Sequence, residues 1–345
     1  MKIKHFDFID IARGLGTFLV VFGHLLNDSG YTNKFIYSFH IPMFFITSGF
    51  IFYLKEETSV FDNIKSKFLR LIVPSIFFII VGIVAQFITG GDLSLPMLKR
   101  ITFWNGICLF NDPIWYFIVL FEVYLVYIII YSLLKKRNKT LITLILGGIF
   151  IVLGYLVDRY KIFIPFGFNK ALTALGFFSV GIIFREIYLY IKDKYYYKDL
   201  MPFLAKICLF AWFVATMINR RPSMYVNIYG KYYLFLISGV AGSFVFFYLC
   251  GFISKIKQSK IFKSISDMSV FVIGTHYVPI WYFKKAMNKF GLFGRRKIYL
   301  IISIVFTVVL LLIYAPICKF LDKKFPLVTG KYKRRVKKNE TCNVS

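Results

Sequence analysis

The apolar stretch from Ile9 to Leu26, IDIARGLGTFLVVFGHLL, carries Asp10, Arg13 and His24. Charged side chains at membrane depth cost roughly 2.5 to 3.5 kcal/mol each even on the lenient insertion scale, so they normally line a site, a pore or a proton path. Arg13 and His24 are eleven positions apart. At the helical repeat they return to within about 20° of one face, with Asp10 and Thr17 near the same stripe. The expected helix has one polar seam. A plainer use of Asp10 and Arg13 is a tertiary ion pair that pins helices together. A neutral imidazole with an ordinary pKa of about 6.5 suits proton abstraction at cellular pH, which makes His24 the best candidate base.

Further along, FIYSFHIPMFFITSGFIF from Phe35 to Phe52 places His40 ahead of a proline and a small-residue patch, Thr47-Ser48-Gly49. A short connection makes this helix the antiparallel neighbour of the first, which puts His40 and His24 in one neighbourhood. His40 is read either as a substrate contact at the mouth of the site or as an interfacial side chain bonded to water or backbone. Ser48 and Gly49 read as packing residues that let helices approach closely, and Ser48 is not taken as a nucleophile. Glu122 is the only acid within its apolar run and lies seven residues after Trp115, about 20° from it around the same helix. Glu122 would orient His24 or a substrate hydroxyl, or else bond to a neighbouring helix. Trp115 is an interface anchor or a face for a sugar ring. His276, in SDMSVFVIGTHYVPIW, sits behind Gly274 and ahead of Pro279, where a broken helix could line a substrate cavity.

These residues need long apolar elements to position them. Hydrophobic residues make up 58% of 345 positions. Runs of about 18 to 24 apolar residues recur from end to end, so the expected class is an all-α, polytopic transmembrane bundle. About ten spans are predicted, near residues 7–27, 35–54, 68–88, 114–134, 140–157, 171–191, 201–219, 233–253, 267–284 and 298–319. The polar seam in the first span argues against a cleaved signal peptide. Of the 44 Lys and Arg residues, 27 fall on the side of the two termini and 15 on the opposite side, so both termini are expected in the cytoplasm. The domain expectation is a membrane domain over 1–320 and a basic cytoplasmic tail over 321–345. The net charge of +28 resides mainly in loops and tail, where it faces anionic lipid, and no nucleic-acid partner is expected. Five cysteines without CxxC spacing indicate neither a disulfide framework nor a metal site. The chain has no GxxxxGK[ST] motif, so ATP hydrolysis is not expected.

The pair DIARGLGTFLVVFGH and SFHIPMFFITSGF resembles the signature of acyltransferase family 3, the membrane O-acyltransferases of bacterial glycans, and especially its fucose 4-O-acetylase-like branch. Ile114-Trp115-Tyr116-Phe117 is similar to the family's Leu-Trp-Phe-Leu element. The resemblance implies a catalytic His24 and an essential Arg13. It also implies that acyl-CoA is handled by an Arg-x-x-Arg motif opening the third span, which reads Lys67-Phe68-Leu69-Arg70 here. Lysine keeps the charge and loses the planar bidentate fork, so a phosphate contact survives better than a stacked one. The expected activity is transfer of acetyl from acetyl-CoA to a hydroxyl of a cell-surface polysaccharide or its lipid-linked precursor, at the bacterial inner membrane. The expected machinery is His24, Asp10, Arg13 and Glu122 as catalytic set, Arg13, Lys67 and Arg70 for the donor, and His40, Trp115 and His276 for the acceptor. The competing class is a polysaccharide exporter or flippase that does no acyl-transfer chemistry; the absence of visible duplicated halves speaks against it.

Overall fold

The computed structural model describes residues 6–26, 30–54, 58–88, 94, 112–134, 138–256, 259–292 and 294–332. Twelve helices account for nearly all of them, and among the described residues there is no strand beyond one isolated bridge, Ser223 with Ile228. In chain order they begin with α1 (Asp7–Leu25), α2 (Tyr31–Phe50), α3 (Val60–Ile88) and α4 (Trp115–Leu134). Next come α5 (Lys139–Arg159), α6 (Phe168–Ile191), α7 (Tyr197–Ile218) and α8 (Tyr232–Ile253). The last four are α9 (Ser259–Asp267), α10 (Ser269–Thr275), α11 (Tyr277–Lys289) and α12 (Arg296–Lys324).

Eight of the described helices are long and apolar enough to cross a membrane. Two of the ten predicted spans differ from the rest. Helix α2 has the length but carries Asn33, Ser38, His40, Thr47 and Ser48 on buried faces, because it is surrounded by protein and not by lipid. The predicted span over 267–284 is split into α10 and α11, each too short to span alone. The two meet at His276, whose dihedrals stay helical (φ −62°, ψ −22°) and whose N–H and carbonyl still bond to Val272 and Ile280. The junction therefore departs little from a continuous helix, and Pro279, lacking an N–H, returns no bond to the Thr275 carbonyl. The residual tail, 333–345, lies outside the described residues.

Helix α1 is the most enclosed of the eight. It packs against α2, α8, α9, α10, α11 and α12, whereas α5 and α12 turn rows such as Leu141, Leu144 and Ile145, or Ile301, Val305 and Leu312, outward. Close helix crossings rest on glycine. A Cβ on Gly49 of α2 would lie 2.0 Å from the Phe178 carbonyl oxygen, and one on Gly181 of α6 would lie 2.0 Å from that of Ile46. Gly14 of α1 approaches the Phe262 carbonyl of α9 in the same way, at 2.2 Å. After α12 the chain turns back at Gly330, which has φ +73°. The carboxylate of Asp322 accepts from both Thr329 and Lys331 and fixes this return.

Candidate active site

Arg13 and His24 stand near opposite ends of α1, roughly 16 Å apart along the axis. At the His24 end, the Nδ1 atom lies 3.2 Å from the Tyr37 hydroxyl of α2. The His24 ring centroid is 5.2 Å from that of His276 and 5.2 Å from that of Tyr277. Tyr37 also meets the His40 ring, at 4.9 Å. Three imidazoles therefore share one neighbourhood, with Tyr37 between His24 and His40.

Hydrogen bonds set two of the three tautomers. Nδ1 of His276 lies 2.9 Å from the Val272 carbonyl and 3.1 Å from that of Ile273. A carbonyl only accepts, so Nδ1 carries the proton and Nε2 of the neutral ring keeps its lone pair. That Nε2 is buried and has no hydrogen-bond partner among the described residues. His40 is fixed in the same sense by the Ile36 carbonyl, 2.8 Å from its Nδ1.

A loop between α7 and α8 adds a cation. Buried Asn219 accepts from the backbone N–H of Arg220 and Lys231, at 2.9 and 2.8 Å, and donates to the Tyr229 carbonyl at 3.0 Å. This fold of the loop brings the Arg221 guanidinium 3.9 Å above the Tyr37 ring. Arg221 also donates to Asn33, whose amide donates to the Gly23 carbonyl at 3.0 Å. The backbone immediately before His24 is thus tied to α2 and to the loop.

At the other end, Arg13, Lys67 and Arg70 line one cavity of about 210 Å³ together with Tyr124, Ser269 and Gly330. The Lys67 amine is 3.6 Å from the Tyr124 ring centroid. Arg70 donates to the Tyr332 carbonyl at 2.9 Å, and Arg13 reaches the Ser269 hydroxyl at 3.5 Å. Asp10, one turn before Arg13, is not among the residues lining this cavity. Between the two ends α1 is tightly packed. Thr17, Val20 and Val21 are buried, and Gly16 lies against Met43 and Phe44. The Thr17 hydroxyl turns back to the Arg13 carbonyl at 2.8 Å and so does not extend the polar seam.

The profile of acyltransferase family 3, described as an acyltransferase domain, matches residues 6–317. The chain belongs to acyltransferase family 3. No curated protein and no solved structure gives a significant match to it. In this multi-pass membrane acyltransferase the matched region takes in both ends of α1, the whole His24 neighbourhood and the cationic cavity.

The remaining sequence candidates fall elsewhere in the acyltransferase. Glu122 of α4 has Lys170 of α6 as its charged neighbour, and no contact joins it to His24 among the described residues. Trp115 is buried, with the Lys170 amine 5.7 Å from its ring centroid, so it is not a lipid-interface anchor. Sequence reasoning passed over Tyr37, Tyr277, Arg221, Asp112 and Lys170. Arg221 and Asp112 sit in loops where charge is ordinary, and the two tyrosines are hidden among 24. Lys170 left a usable signal: it is a lysine at the start of an apolar run, next to an asparagine.

Proposed function

We propose that this acyltransferase moves acetyl from acetyl-CoA to a hydroxyl of a cell-surface polysaccharide or its lipid-linked precursor, at the bacterial inner membrane. The reading is carried by one observation: a histidine cluster and a tricationic cavity occupy opposite ends of the same enclosed helix in a family 3 acyltransferase. The donor carries several phosphate charges and is made in the cytoplasm, so its nucleotide meets Arg13, Lys67 and Arg70 on that side. The pantetheine arm runs along α1 toward His24, a distance of roughly 16 Å.

His24 takes the proton of the acceptor hydroxyl while its oxygen forms the new bond to the thioester carbonyl carbon. Collapse of the tetrahedral intermediate breaks the carbon–sulfur bond, and the departing thiolate recovers the proton from the imidazolium. His276 positions the His24 ring, and its Nε2 lone pair, unpartnered among the described residues, is free to accept from the imidazolium that forms on proton transfer. Tyr37 orients the opposite edge through its bond to Nδ1. Asp10 supports Arg13 from the preceding turn, and His40 shapes the acceptor mouth.

Purified enzyme in detergent, given radiolabelled acetyl-CoA and a total extract of the surface glycan and its lipid-linked precursors, should produce labelled ester. His24→Ala should reduce the rate by about a hundredfold or more, the range for loss of a general base. Near-normal turnover in that variant would overturn the assignment of His24. Absence of label from every glycan fraction with the wild-type enzyme would overturn the glycan as acceptor.

A further inference from the structure

Lys170 begins α6 with its side chain buried, 7% exposed. Its backbone N–H donates to the Asn169 side chain at 3.0 Å, which fixes the start of the helix around it. Its amine lies 5.7 Å from the ring centroid of Trp115 and 5.5 Å from that of Tyr225, with Asp112 and Glu122 as charged neighbours. Each acid also has an unfilled position: Oδ1 of Asp112 and Oε2 of Glu122 are buried without a partner among the described residues. Two carboxyl oxygens on two separate elements are thus left unfilled, and both acids are charged neighbours of one lysine that lies near two aromatic rings. Buried polar groups are ordinarily hydrogen-bonded, and an unmet one costs about 1 to 3 kcal/mol.

The cluster borders the His24 neighbourhood. Tyr225 faces Asp112 and is an electrostatic neighbour of Tyr277, whose ring contacts His24. The turn that holds Asp112 packs against α10, which ends immediately before His276.

We infer that Lys170, Asp112 and Glu122, between Trp115 and Tyr225, form the acceptor subsite, and that it takes an uncharged sugar ring through vicinal hydroxyls. This rests on the acyl-transfer reading above. The chemistry of the three groups selects the ligand class. An ammonium needs an acceptor, a carboxylate needs donors and a neutral carboxyl group needs one of each, and a hydroxyl supplies both. A ring bearing a carboxylate or phosphate would bring a further negative charge against two acids and one base, so uronic and phosphorylated rings are disfavoured. The C–H faces of the ring lie against the aromatic side chains. A sugar held here presents a neighbouring hydroxyl to His24 by way of the Tyr277 side.

Steady-state kinetics on the full-length enzyme tests this with oligosaccharides released from the surface glycan, divided by anion exchange into neutral and anionic pools. The wild type should acetylate the neutral pool at least tenfold more efficiently. Lys170→Met, Asp112→Asn and the near-isosteric Glu122→Gln should each raise the acceptor KM at least tenfold while leaving the acetyl-CoA KM within twofold. Equal or better use of the anionic pool would overturn the ligand class. Unchanged acceptor KM in Glu122→Gln and Lys170→Met, or a shift in the acetyl-CoA KM instead, would overturn the subsite. Failure of the wild type on both pools would remove the glycan reading itself, an outcome distinct from either of these.

Discussion

The cationic cavity shows three side chains engaged in three different ways. Lys67 lies on the face of Tyr124, Arg70 is bonded to the Tyr332 carbonyl, and Arg13 has, among the described residues, only a long hydrogen bond to Ser269. Arg13 thus has the most donors left for a phosphate. Calorimetric titration with a non-hydrolysable acetyl-CoA analogue should show about ten- to hundredfold weaker binding for Arg13→Ala and Arg70→Ala, the range for losing a charge-assisted hydrogen bond. Lys67→Arg should bind as the wild type does, because a guanidinium keeps the charge and also stacks on the tyrosine face. Unaltered affinity in both alanine variants would remove this cavity from the donor path. Arg13 and His24 stood out in the sequence because a charge or an imidazole within an apolar run contrasts with its surroundings, whereas Lys67 and Arg70 were singled out by their resemblance to the family's Arg-x-x-Arg motif. The pairing of His24 with His276 was not legible there, since 252 residues separate them in the chain and only the helix packing brings them together.

Among the elements, the α2–α6 crossing depends on two glycines that each face the other helix's backbone. Gly49→Val would place methyl groups where a carbonyl already sits, and backbone cannot rotate aside as a side chain can. The expected loss is about 1 to 3 kcal/mol or more, read as a clear fall in Tm of the detergent-solubilised protein; an unchanged Tm would mean that the helices do not meet there. The small-residue pattern Thr47-Ser48-Gly49 made this contact readable from sequence. The split of α10 from α11 was only half readable. Gly274 and Pro279 flagged a break, but the apolar content of 267–284 still suggested one continuous span. The departure is slight: Pro279 removes one N–H from the ladder, as Pro42, Pro74, Pro202 and Pro316 do inside continuous helices, and His276 at the junction keeps helical dihedrals.

At the scale of the whole molecule, the membrane class was legible from apolar run lengths alone, while the enclosure of α1 was not, because periodicity cannot say which helix becomes the centre. That central position has a consequence for the membrane as an electrical barrier. A catalyst that takes its donor from one face and its acceptor near the other contains a potential conduit for protons and ions. Met43 and Phe44 pack against Gly16, with Thr17, Val20 and Val21 buried beside them, between the cationic cavity and the histidines, and on the proposed reading this packing is what would close such a conduit. On the same reading, the donor arm parts these side chains and then fills the gap it makes, much as a piston seals its own cylinder. Phe44→Ala should therefore leave a standing opening. Liposomes containing this variant and a trapped pH-sensitive dye should dissipate an imposed proton gradient at least several-fold faster than wild-type liposomes. Addition of the acetyl-CoA analogue should slow the leak by occupying the passage. Equal leak rates in the two preparations would place the insulating seal elsewhere along the bundle.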